Sequence, residues 1–441
     1  MINFNQQHKD LLFTLINQFW RLISGPITLL LIPLYLSPEQ QGYWYLFGSL
    51  AALSIFADLG FSNIILQFSA HEYAFLHFTD EGLLEGEEGY LKRLGSFLRF
   101  TIKWISTICA IVFPVIFIIG IAFFIRDQVF GIYFMPWTLY AIGSLINFFN
   151  NSILSFIEGL NKIETIQKIR FRVAVLNTVT LALILVLGGN IYALAIGILL
   201  SSSSIFISIF GSFRKLLKQL LDISKGFVYF WKKEVVPLFI RYALSFSSGY
   251  FIFQIYTPLM HYFHGSVYSG KVGITIALVT AIFNMSNIWM YTIIPKINML
   301  ISQKLWKELD RLYIKRLFLS LGTYLFISIG VFIFLAVFGN FWVIPKITSR
   351  FLPGISFIIL LICYFMQIIG YSWAVYLRGH KQEPYYIPSM ISAVWIAITT
   401  FIAGKYLLPT WFFLGFLSAC IWGAPVSYII FRKYKMLWHG R

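Results

Sequence analysis

Twelve stretches of this chain are each apolar over the roughly twenty residues that a helix needs to cross a hydrocarbon core. They run approximately Leu11–Leu36, Gly42–Ala70, Trp104–Ile125, Met135–Gly159, Phe171–Leu187, Ile191–Gly211, Val235–Tyr262, Val272–Pro295, Leu317–Phe338, Ile355–Leu377, Tyr386–Ala403 and Trp411–Phe431. A water-soluble core cannot hide that much apolar surface, so the solvent of this fold is lipid. Charged residues make up only 12% of the 441, against about 25% in soluble domains. A β-barrel is excluded, because barrel strands alternate polar and apolar residues over about ten positions. The expected class is an all-α integral membrane protein of about twelve transmembrane helices.

Lysine and arginine then orient it. If the N-terminus is inside, only Arg126, Lys346, Arg350 and Lys405 lie outside, and Arg21, Arg241 and Lys271 fall in or at the edges of spans. The remaining 27 of 34 cations are cytoplasmic. The positive-inside rule therefore places both termini in the cytoplasm, with the chain in a bacterial inner membrane. The net charge of +17 is a topology signal and not a nucleic-acid footprint. The first apolar run is too long for a signal-peptide core, so an uncleaved first span is expected.

Six spans per half return the chain to its starting side. Arg21 and Arg241 lie 220 positions apart, as do Glu158-Gly159 and Arg378-Gly379, and Pro33-Leu34 matches Pro258-Leu259 with a small insertion. This offset predicts two parallel-related six-helix bundles around a central cavity, residues 1–212 and 234–441. Residues 213–233 join them. There Phe213, Leu216, Leu217, Leu220 and Leu221 share one helical face and Arg214, Lys215 and Lys218 lie elsewhere, the pattern of an amphipathic cytoplasmic linker lying against anionic lipid.

Polar groups inside a membrane are costly and rarely face lipid, so their spacing marks an inner surface. Span one carries Asn17, Gln18, Arg21 and Ser24 on one face; span four carries Asn147 and Asn151; span seven carries Ser245; span eight carries Asn284 and Asn287; span ten carries Gln367. Helix–helix packing accounts for such neutral residues as readily as a cavity does. Arg21, about ten residues into its span, is too deep to snorkel easily. Asp58, sixteen residues into span two, is either a proton or sodium site or the structural partner of a cation. Glu158 and Arg378 sit at the cytoplasmic mouth. Cys109, Cys363 and Cys420 lie far apart inside apolar runs, with no disulfide or metal spacing. No HExxH, CxxC pair, Walker loop or GxSxG occurs, which points to a transporter and not an enzyme, with no cofactor or metal and with any drive coming from an H+ or Na+ gradient.

Three segments carry a resemblance: LIPLYLSPEQQGYWYL at Leu31–Leu46, ADLGFS at Ala57–Ser62, and SGKVGITIALVTAIFNMSNIWMYTIIPKI at Ser269–Ile297, followed by ISQKLWKELDRLY at Ile301–Tyr313. With the twelve-span layout, the chain resembles the Wzx-type O-antigen and polysaccharide repeat-unit flippases of the multidrug/oligosaccharidyl-lipid/polysaccharide superfamily. The resemblance implies translocation of undecaprenyl-pyrophosphate-linked oligosaccharides from the cytoplasmic to the periplasmic leaflet, among membrane lipids and beside the polymerase and chain-length proteins of lipopolysaccharide assembly. It implies a cation-lined cavity for the diphosphate, with Arg21, Arg241 and Lys271 as the matching cations. Two alternatives stand beside it: a cation-coupled multidrug exporter of the same superfamily, whose cavity should favour carboxylates, and an integral-membrane glycan polymerase or transferase, which typically shows a large external loop.

Overall fold

The computed structural model describes residues 4–338, 344–380 and 384–439. It is almost entirely helical. In chain order the elements are α1 (Phe4–Tyr35), α2 (Pro38–Ala51), α3 (Ile55–Asp58), α4 (Phe61–Tyr73), β1 (Leu76–Phe78), β2 (Leu84–Gly86), α5 (Glu88–Arg126), α6 (Phe130–Gly159), α7 (Ile163–Val186), α8 (Tyr192–Ile223), α9 (Trp231–Phe253), α10 (Tyr256–Tyr291), α11 (Ile294–Ser302), α12 (Trp306–Phe338), α13 (Ile344–Thr348), α14 (Gly354–Arg378), α15 (Tyr386–Tyr406) and α16 (Leu414–His439). Among the described residues, nine helical segments are long and apolar enough to cross a membrane, or ten if the broken run from α2 to α4 counts as one.

The apolar stretches of the sequence all become helix, but three boundaries move. Span two breaks between Asp58 and Phe61, where Leu59 (φ 43°) and Gly60 (φ 81°) are left-handed. The stretch Val235–Tyr262 is interrupted after Phe253. Its following helix, α10, continues past the expected loop and turns sharply at Gly265, with φ 83° and ψ −179°, a conformation open to glycine because it has no Cβ. The connection between the second and third apolar stretches is mostly structured: an antiparallel hairpin pairs Leu76 with Gly86 and Phe78 with Leu84, and α5 starts at Glu88, ahead of the apolar run.

The chain forms two compact units, residues 1–24 with 50–247, and residues 25–49 with 248–441. In the first, α4, α5, α6, α7 and α8 share a core that includes Phe61, Phe97, Phe156 and Ile209. The stripe expected to lie against lipid is not a separate interfacial helix. Residues 213–223 continue α8, and Phe213, Leu216 and Leu220 are buried in the core with Leu91, Leu94 and Phe97 of the early turns of α5. A protein surface of matching apolar character competes successfully with lipid here. Gln219 clamps the hairpin through both backbone groups of Leu84, at 2.9 and 2.7 Å. Buried Glu72 pairs with Arg93 at 2.9 Å, which in turn lies 4.5 Å from the Tyr229 ring centroid.

In the second unit, Tyr256, Tyr364, Phe412, Phe413 and Phe416 centre one core, and Met290, Tyr313, Tyr376 and Leu377 another. The outward faces are apolar: α12 exposes Phe318, Phe326, Ile329 and Ile333, as lipid-facing helices do. Two of the segments that carry the resemblance meet here. Gln41 donates to the Gly270 carbonyl at 2.9 Å. A Cβ on Gly42 would fall 2.1 Å from the Ser266 carbonyl oxygen, and one on Gly273 would fall 2.2 Å from the Tyr45 ring. Only glycine permits this approach. Arg350, itself buried, donates to the Leu36 carbonyl at 2.8 Å, and Lys346 donates to that of Leu34 at 2.7 Å. Together they satisfy two of the carbonyls that the end of α1 leaves open.

Candidate functional site

The first unit contains a cavity of about 430 Å³ against the break in span two, lined by Ser54, Asp58, Ser62, Tyr140, Ser144, Asn147 and Asn151 among others. Asp58 of span two and Asn147 and Asn151 of span four thus line one cavity. Asn151 Nδ2 donates to the Asn147 carbonyl at 2.9 Å and to its side-chain oxygen at 3.1 Å. Asp58 has a local task. Its Oδ2 accepts from Gly60 N at 3.1 Å, and its Oδ1 accepts from Ser62 N at 3.0 Å and from the Ser62 hydroxyl. The carboxylate therefore caps the N-terminus of α4, where a helix dipole favours negative charge. Among the described residues Asp58 forms no ion pair. The break thus opens onto a cavity of mixed lining, with Ala51, Ile55 and Phe148 beside the polar groups.

Other expected cavity residues pack. Asn17 is buried and donates to Gln167 on α7 at 2.9 Å, so it bridges two helices instead of lining a cavity. Glu158 receives a bidentate bond from Arg170 at 3.2 and 2.7 Å, which ties α6 to α7 across their connection. Ser24 is half-buried. The side chains of Gln18, Arg21, Arg241 and Ser245 lie outside the described residues.

In the second unit, Lys271 is half-buried, with its ammonium 5.9 Å from the Tyr268 ring centroid. It follows Gly270, the residue that touches Gly42. The helices α10 and α14 meet through other residues: Thr280 and Tyr364 share a hydrogen bond of 3.0 Å, and the Tyr291 and Tyr371 rings lie 5.3 Å apart. Asn284 and Arg378 are exposed on these helices. Asn287 is buried, with its amide returned to the Phe283 carbonyl at 3.0 Å, and Gln367 turns toward Cys420 on α16 at 3.8 Å. These two serve packing.

Sequence reasoning does not anticipate Gln167, Arg170 or Tyr140. Gln167 and Arg170 read as part of a solvated cytoplasmic stretch, and their partners are 150 and 12 positions away. Nothing in periodicity signals such pairings. Asn150, which donates to the Ser202 carbonyl at 2.8 Å, lies one position off the polar stripe of its span.

No family model matches the chain, and no curated protein sequence does. Solved structures match along nearly its whole length. An inward-facing multidrug-resistance MATE family transporter of the MOP superfamily is 14% identical, with 96% of this chain and 95% of that one covered and a TM-score of 0.64. The lipid II flippase MurJ, in an inward closed conformation, is also 14% identical, over 95% of this chain and 87% of that one, with a TM-score of 0.64. A point mutant of the Vibrio cholerae MATE transporter VcmN is 12% identical over 99% and 98%, with a TM-score of 0.55. The fold is accordingly the one that these solved structures share, and these similar proteins are transporters and a flippase.

Proposed function

We propose that this chain is a flippase for undecaprenyl-diphosphate-linked oligosaccharides, working by alternating access in a bacterial inner membrane with both termini cytoplasmic. The observation that carries the reading is the balance of charge within the spans. Among the described residues the only mid-span carboxylate is Asp58, and its oxygens are engaged by the backbone of its own helix break. A pump for cationic drugs needs an available carboxylate, whereas the span cations Arg21, Arg241 and Lys271 suit a diphosphate. A diphosphate-sugar head cannot cross hydrocarbon unaided, while a polyprenyl tail stays in lipid throughout, so the protein need shield only the head. Likeness to a lipid II flippase supports the same reading. Alternating access would then expose the bound head to each side of the membrane in turn. The polymerase and chain-length proteins that consume the flipped unit are the expected partners.

The MATE likeness is equally close, and the cavity at Asp58 favours a second reading as a cation-coupled exporter. One experiment separates them. The gene is expressed in a strain lacking its own repeat-unit flippase, and surface glycan and cationic-dye efflux are measured side by side. Restored glycan without efflux is expected; efflux without glycan overturns the flippase reading.

A further inference from the structure

Two imidazoles converge in the second unit, where α14 and α16 end. His380 Nε2 lies 3.1 Å from His439 Nε2. Each ring is stacked on an indole: His439 on Trp306, with centroids 4.0 Å apart and planes within 15°, and His380 on Trp438, at 4.3 Å and 22°. The stacks fix both ring planes and hold the two nitrogens close together.

Their protons can be assigned by following the hydrogen bonds outward. The Tyr376 hydroxyl gives its one proton to Asp310 Oδ1 at 2.7 Å. Toward His439 Nδ1, 3.4 Å away, it can therefore only accept. His439 is the Nδ1–H tautomer, and its Nε2 presents a lone pair. His380 then has two choices. As Nε2–H it donates to His439 but leaves its own buried Nδ1 without a hydrogen-bond partner. As Nδ1–H, His380 leaves that buried proton without an acceptor, and two lone pairs then confront each other. A cation bound by both Nε2 lone pairs, off the line that joins the two atoms, resolves the conflict.

The separation suits a metal. Two nitrogens at about 2.0–2.1 Å from one ion stand roughly 2.9 Å apart at a right angle and roughly 3.4 Å apart at the tetrahedral angle, and 3.1 Å lies between. A cavity of about 360 Å³ lined by Trp306, Asp310, Tyr428, Arg432, Lys435 and His439 adjoins the His439 side of the pair. The local charge is mixed. Lys435 is paired with Asp310 at 2.7 Å, and Arg432 faces the same cavity, so one carboxylate offsets two cations.

We propose that His380 and His439 are the two protein ligands of a divalent transition ion, of the zinc, nickel or copper(II) type that imidazole prefers, with water in the remaining positions. Tyr376 is a positioning residue that fixes the His439 tautomer through Asp310. The ion clips the end of α16 to the end of α14 and, through Trp306, to the start of α12.

The test uses the full chain without a histidine tag, in detergent, stripped with a chelator and titrated with zinc against a chromophoric chelator. One zinc per chain is expected. Affinity should fall at least about tenfold in His380→Ala and in His439→Ala, and less in Tyr376→Phe. Zinc should also raise the melting temperature of the wild type and leave both histidine variants unmoved. Elution of each variant as a single species checks folding, and His439→Gln replaces His439→Ala if the latter aggregates. Equal zinc binding by the wild type and the double variant His380→Ala/His439→Ala overturns the proposal, because the ion then sits elsewhere. Absence of zinc binding by the wild type overturns it too, and leaves a shared proton as the occupant.

Discussion

Replacing Asp58 tests whether its carboxylate holds the helix break or carries a coupling ion. Its two oxygens accept from Gly60 N and Ser62 N at 3.1 and 3.0 Å. A hydrogen bond to a charged group contributes about 1.5–3 kcal/mol, and an N-cap side chain about 1 kcal/mol when water can take its place. The adjoining cavity of about 430 Å³ is partly polar and roomy enough for water, which holds the total below the sum over two such bonds. Asp58→Ala should therefore cost about 2–3 kcal/mol. Asp58→Asn keeps one acceptor oxygen and should cost about 1 kcal/mol. In a unit of about two hundred residues, each kcal/mol moves the melting temperature by about 2–4 °C. The Ala variant should melt about 5–10 °C low and the Asn variant about 2–4 °C low. Surface glycan, normalised to membrane abundance, should survive in the Asn variant and fall with abundance in the Ala variant. A well-expressed Asp58→Asn protein that melts as the wild type does and yet moves no glycan would refute the capping role, and would assign the charge to ion coupling.

Further predictions address other parts of the molecule. If Arg21 grips a diphosphate, Arg21→Glu should transport least, Arg21→Ala little, and Arg21→Lys in part, because lysine keeps the charge and loses the bidentate fork; the order should recur more weakly at Arg241 and most weakly at Lys271, and wild-type glycan from an abundant Arg21→Glu variant would rule the cation cavity out. Gly42→Val should destabilise the second unit by at least about 1–3 kcal/mol, because the Ser266 backbone cannot yield to a Cβ 2.1 Å away; unchanged melting would deny the contact. Glu158→Arg should weaken the protein and Arg170→Glu, added to it, should restore it, with a coupling of about 0.5–1 kcal/mol for this partly exposed pair; strictly additive melting shifts would show the bond to be idle. Reporters active only outside the cytoplasm should be active when fused after Phe130 or Gly265 and silent after Glu85, Lys225 or Leu437, and the reverse would overturn the topology.

Much of the architecture is legible in the chain because membrane helices answer to one dominant requirement. A backbone in hydrocarbon must satisfy its own hydrogen bonds, so twenty apolar residues become a helix whatever their neighbours. The convergence of Asp58 with Asn147 and Asn151 is legible for a related reason: polar side chains avoid lipid, and helical spacing reports which face they share. The stripe at Phe213, Leu216 and Leu220 is equally visible as a pattern, but its partner is not. An apolar face is the same sequence whether it meets lipid or the early turns of α5, and only the fold supplies the competitor.

The sequence by itself determined that this protein lives in a membrane, that it is helical, and which faces of its spans are polar, because each of these follows from the free energy of a single segment in lipid or water. The tertiary structure decided what those polar groups do. It alone shows Asp58 capping the break at Leu59 and Gly60, Asn17 committed to Gln167, Glu158 held by Arg170, and His380 facing His439. Each depends on contacts between residues whose separation along the chain carries no periodic signal, and a hydrogen bond is directional and short-ranged, so its partner is known only once the backbone has brought it within about 3 Å.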